Sequence, residues 1–299
     1  MKQPLAYSPH EGFIAPARSH AEIWRLVAGL FLAFVAYVLF NTVFFELIYS
    51  FLTRDPDQFL REVQSGETPR AMYFMLFSFV FMSLSVGLAA QLLHKRRFHT
   101  LLGPLNACAR DFGAVSFLLL IVMAVTFVLP PWGMGEPLIP NVPVGTWIML
   151  LAPSLILVLI QTSAEEIVFR GYVQQQLAAR FASPLLWMIL PAALFAIGHY
   201  LPDTAGENAL LIALWAGVFG VLMADLTARA GNLGPAIAVH FWNNVAAILI
   251  ISLPGNLSGL ALYHAPFSAS DVDEMRAWLP VDFALMVVFW LTARLAIRR

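Results

Sequence analysis

The sequence has a single cysteine, Cys108, among 299 residues, so no disulfide can close within the chain and no cysteine cluster can hold a metal. Any metal would need histidine and carboxylate ligands. Charge is also scarce, with Asp, Glu, Lys and Arg at 12% of residues against 60% apolar. The net charge is -1 and there is no basic arm or patch of interleaved basic and aromatic residues, which excludes nucleic acid as an expected partner. The HExxH pattern of helix-borne zinc proteases is absent. So is any internal repeat, and with it the inverted-repeat signature of many transporters. No cleaved secretory signal is read at the start, because the first apolar run comes late, is too long and lacks an evident small-residue cleavage site.

What the chain has in plenty is apolar runs of bilayer-spanning length. The mean hydropathy of +0.77 is far above that of a soluble domain. Runs at 26–51, 71–93, 114–130, 147 to about 170, 184–201, 208–227, 233–253 and 280–297 give an all-α polytopic membrane protein of about eight transmembrane helices. Four regions follow: a polar, mostly irregular tail at 1–23; N-terminal transmembrane helices of unassigned role at 24–146; a core at 147–253; and a polar loop with the last helix at 254–299. Within that last loop, Ser270-Asp271-Val272-Asp273 resembles a capping box and predicts a short interfacial helix ending before Pro280. If the N-terminus is cytoplasmic, 13 of the 17 Lys and Arg residues fall on that side and only Arg54, Arg61, Arg70 and Arg276 on the other. The charge rule therefore puts both termini in the cytoplasm.

Ionisable groups deep in such runs are costly and point to function. Glu165-Glu166-Ile167-Val168-Phe169-Arg170 ends the fourth run. Helical spacing lets Glu166 pair with Arg170 four residues on, while Glu165 points about 100° away and remains free. His199 follows Phe195 by four in the fifth run, and His240 precedes Asn244 by four in the seventh, with Asn243 turned aside. Asp225 and Arg229, also four apart, read as a surface pair. The candidate constellation is Glu165, His199, His240 and Asn244. Its bland counterpart is a set of ion pairs and interhelical hydrogen bonds with no chemistry.

These three segments resemble the CAAX prenyl endopeptidase and bacteriocin-processing (CPBP, Abi) family of intramembrane proteases, whose pattern is EExxxR, FxxxH and HxxxN on successive helices. Here the letters fall on Glu165, Glu166 and Arg170, on Phe195 and His199, and on His240 and Asn244, in a region of roughly residues 155–250. The resemblance implies an intramembrane endopeptidase in a multi-pass membrane protein, expected in the bacterial inner membrane. Its substrate would be a membrane-embedded or lipid-anchored peptide or protein. Glu165 and His199 would activate water, and His240 and Asn244 would hold the oxyanion. Glu166, Arg170 and Phe195 would support them. No cofactor is favoured. The alternative is a zinc enzyme with His199, His240 and Glu165 or Glu166 as ligands, and a further alternative is a non-catalytic membrane scaffold.

Overall fold

The computed structural model describes residues 5–51, 55–129, 136–255 and 257–298. Lys2, Arg54 and Arg299 of the charge count, and residue 130 at the end of the third expected span, lie outside these ranges. Among the described residues the chain is almost wholly helical. The elements are α1 Ser8–Ile14, α2 Ile23–Phe51, α3 Pro56–Ser65, α4 Pro69–His94 and α5 Leu105–Val128, then α6 Val144–Arg180, α7 Pro184–Gly198, α8 Ala209–Ala230, α9 Gly234–Ile250 and α10 Val272–Ile297. Among the described residues, six spans are long and apolar enough to cross a bilayer: α2, α4, α5, α6, α10 and the stretch Pro202–Ala230 that contains α8. The other two apolar helices, α7 and α9, are shorter. The eight expected helices are therefore present as six long and two short ones, in an integral multi-pass membrane protein.

Helix starts follow local chemistry. Asp55 and Thr68 cap α3 and α4 through their side-chain oxygens, each followed by proline in the first turn, where a missing N–H costs nothing. The outer surface is paved with apolar side chains such as Phe31, Phe34, Leu185, Leu291 and Leu295, as a lipid-facing bundle requires. Small residues admit close helix contacts. A Cβ at Gly29 on α2 would lie 1.8 Å from the Tyr172 hydroxyl, which therefore reaches His94 Nε2 at 2.8 Å. Three two-residue strands form a small sheet at one end of the bundle. Tyr263–His264 is its middle strand, antiparallel to Ile139–Pro140 and parallel to Ile251–Ser252.

Four expectations are corrected. Residues 5–20 are not irregular: α1 lies between 3-10 turns at Leu5–Tyr7 and Ala15–His20, and Phe13, Ile14 and Ala17 are buried. Pro9 and Pro16 sit in first turns, where proline starts a helix instead of breaking it. Helix α6 does not stop near residue 170 but continues to Arg180 through a π-helical stretch at Ile167–Gln174. Helix α10 begins at Val272 and runs unbroken through Pro280, so the expected short interfacial helix is the first two turns of the last span. Asp225 and Arg229 do pair at 2.9 Å, but Asp225 is buried and also accepts from Tyr7 Oη at 2.6 Å and Trp290 Nε1 at 2.9 Å.

His10 makes the N-terminal segment sensitive to pH. Its ring lies 4.6 Å from that of Trp187, is fully buried and has neither nitrogen hydrogen-bonded. Burial pushes its pKa down to about 4. The group binds its proton more readily when undocked, so the stability it contributes as a neutral ring is lost as pH falls below the ordinary histidine range towards 4. Linkage puts the loss between pH 7.5 and pH 5 at about 2 kcal/mol. Thermal melts followed by tryptophan fluorescence should therefore fall over this range, and His10→Phe should flatten the fall. An unchanged pH dependence in that variant would remove His10 as its cause.

Candidate active site

Glu165 and Glu166 end the first α-helical part of α6, and the backbone widens into the π-helical stretch with the next residue. Such π turns recur at functional sites, where they re-aim side chains within an otherwise regular helix. Glu166 and Arg170 are both completely buried and pair at 3.0 Å. Arg170 Nη2 donates to the Gly220 carbonyl at 3.1 Å, and its guanidinium lies 5.1 Å from the centre of the Phe195 ring. A Cβ at Gly220 would stand 2.9 Å from the Ala192 side chain and 3.4 Å from Arg170 Nη2, so the glycine lets α7, α8 and the arginine meet. Arg170, held by Glu166, thus fastens α6 to α8 through the Gly220 carbonyl.

His240 on α9 stands between the two acids. Its Nδ1 is 2.8 Å from Glu166 Oε1 and its Nε2 is 3.5 Å from Glu165 Oε2. A carboxylate oxygen can only accept, so Nδ1 carries a hydrogen and Nε2 is the atom presented to Glu165. The rings of Phe219 and Phe195 close over the imidazole edge-on, at 5.1 and 6.0 Å. Glu166 therefore has a wider role than the pairing expected from spacing alone, since it both neutralises Arg170 and orients His240.

Glu165 is held by a residue that the motif reading passed over. Gln161, one turn earlier on the same face of α6, donates from Nε2 to Glu165 Oε1 at 2.6 Å. It also accepts from Asn244 Nδ2 at 2.8 Å. The i, i+4 spacing to Glu165 was the available signal, but glutamine carries no charge to draw attention in an apolar run. Asn243, expected to turn aside, reaches back to donate to Asn244 Oδ1 at 3.2 Å. The second oxygen of Glu165, Oε2, is buried and accepts no hydrogen bond.

His199 joins this group less directly. It caps α7 just after Gly198, and its Nδ1 donates to the Phe195 carbonyl at 2.8 Å, which leaves Nε2 as the acceptor. Its ring packs 4.3 Å from that of Phe195, the same ring that faces His240. Among the described residues it makes no hydrogen bond to Glu165 or His240, so Glu165, Glu166, Arg170, His240 and Asn244 form one polar network and His199 stands across Phe195 from it. Nor do three His, Cys, Asp or Glu side chains among the described residues converge as a metal cage would require. Of the possible zinc set, His240 has its Nδ1 held by Glu166, which leaves Nε2 as the nitrogen a metal would use, while His199 packs on the Phe195 ring that also faces His240.

An apolar groove of about 340 Å³ between α4 and α6 is lined by Val80, Ser83, Leu84, Leu159, Ile160 and Ser163, the last of these lying two residues before Glu165.

Comparison with known proteins bears on the same helices. A family model described as type II CAAX prenyl endopeptidase Rce1-like matches residues 146–246. The uncharacterized protein YyaK of Bacillus subtilis (strain 168) is 27% identical over 260 residues, which cover 83% of this chain and 84% of the relative. No solved structure matches. The matched stretch contains every acid, histidine and asparagine of the network, so over residues 146–246 the chain is similar to the type II CAAX prenyl endopeptidase Rce1-like family.

Proposed function

We propose that this protein is an intramembrane endopeptidase that hydrolyses a peptide bond of a membrane-embedded or lipid-anchored substrate by means of Glu165 and histidine. The observation that carries the reading is the unpartnered Oε2 of Glu165, a buried acceptor 3.5 Å from His240 Nε2 on the opposing helix. Buried polar atoms are almost always satisfied, and one that is not marks a place where a ligand or water docks. A water on Oε2 would give its proton to Glu165 as its oxygen attacks the scissile carbonyl carbon. The proton then passes to the leaving nitrogen as the C–N bond breaks.

The developing oxyanion needs donors. The second N–H of Asn244 and the Nε2 of His240, when protonated, supply them, and Glu166 stabilises the imidazolium through Nδ1 much as a triad carboxylate does. The apolar groove beside Ser163 gives a lipid-side approach to this helix. The count of Lys and Arg favours a cytoplasmic location for both termini, and the bacterial inner membrane is the proposed setting.

The test is cleavage of a reporter carrying a transmembrane or lipid-anchored peptide, by purified protein in proteoliposomes, with and without chelator. Cleavage that survives chelation, with no stoichiometric zinc by elemental analysis, is expected. Activity lost on chelation and restored by zinc, with the metal absent from His199→Ala and His240→Ala, would replace this mechanism with the zinc-dependent one.

A further inference from the structure

We propose that Gln161 is a positioning residue of this site, acting on both Glu165 and Asn244; the inference rests on the endopeptidase reading above. Gln161 is only 6% exposed and spends its amide on those two side chains. The direction of the chain is forced. The Glu165 carboxylate can only accept, so Gln161 must turn its Nε2 to it and its Oε1 away. That oxygen then demands a donor from Asn244, which points Nδ2 at Gln161 and Oδ1 at the amide of Asn243. One glutamine thereby decides which oxygen of Glu165 is occupied, leaving Oε2 for water, and which way round the Asn244 amide lies. Without it Glu165 would be free to rotate either oxygen towards His240, and Asn244 to flip its donor out of line with the oxyanion.

Gln161→Leu removes both hydrogen bonds at nearly constant size. The expected result is a fall in kcat of about 100-fold, the scale of misplacing a reacting group by an ångström, with KM within about twofold. Because part of its effect runs through Asn244, Gln161→Leu combined with Asn244→Ala should lose less activity than the product of the two single losses. An unchanged kcat, or losses that multiply in the double variant, would overturn the proposal. Gln161→Glu offers a second readout should the leucine variant not fold. An ionised side chain at 161 cannot donate to Glu165 but a protonated one can, so activity lost at neutral pH should recover in part on acidification, and a profile parallel to wild type would count against the proposal.

Infrared spectroscopy separates this inference from the reading beneath it. The Glu165 carboxylate band, assigned by its loss in Glu165→Gln, should shift in Gln161→Leu and not in the control Ser154→Ala. That shift is expected even if the wild type cleaves nothing, in which case the endopeptidase reading fails alone. A band unmoved in Gln161→Leu refutes the positioning role whatever the activity.

Discussion

Glu165→Gln should abolish proteolysis, by on the order of 1000-fold or more, while leaving the protein folded. The size follows from removing a general base, with no other acid facing the same side of His240 to replace it. The folding half follows from the contacts. A glutamine at 165 still offers an oxygen to Gln161 Nε2, now 2.6 Å from Glu165 Oε1, and its amide nitrogen can donate to a neutral His240 Nε2. No buried charge is stranded, so melting should stay within a few degrees of wild type. A variant that cleaves the reporter at the wild-type rate sinks the assignment of Glu165.

Arg170→Met is expected to do the reverse and act first on stability. Arg170 is completely buried and is the one guanidinium paired with Glu166, which is itself completely buried. Methionine fills much of the volume but leaves the carboxylate with only His240 Nδ1 for compensation, and it orphans the Gly220 carbonyl. Breaking one side of a buried ion pair typically costs about 3–5 kcal/mol. In a chain of this size that is roughly a 10 °C fall in melting temperature. Glu166→Gln should fall between the two variants, since it strands Arg170 but keeps an acceptor for His240. If Arg170→Met melts with the wild type, the pair does not carry the load assigned to it. Paired measurement of melting and cleavage separates all three roles.

Much of this was legible in the letters because hydrophobic runs of bilayer length and i, i+4 spacings are direct readouts of helix geometry. The run lengths indicated the helix number, and the spacing of Glu166 and Arg170 indicated their contact. The same arithmetic misjudged features that depend on neighbours far away in sequence. Asp225 looked like half of a surface pair because its other two partners, Tyr7 and Trp290, are 218 and 65 residues distant. His10 carries no partner pattern in the letters because its contact is with Trp187 on another helix. Gln161 was missed for a different reason, since its one-turn offset from Glu165 was visible but its link to Asn244 crosses 83 residues. The π-helical stretch itself was not legible, because the i, i+4 contact of Glu166 with Arg170 persists across its first turn.

The cage around Asp225 has a bearing on how the chain is made. Its carboxylate is shared by Tyr7, near the start of the described chain, and Trp290, near its end. During synthesis the N-terminal segment leaves the ribosome first, yet its seat is incomplete until the last helix has entered the membrane. Until then a buried acid has only Arg229 and Tyr7 for company. Shortening the chain at its C-terminus by the last helix would therefore be felt at the opposite end, as a loosened first segment that proteases can reach.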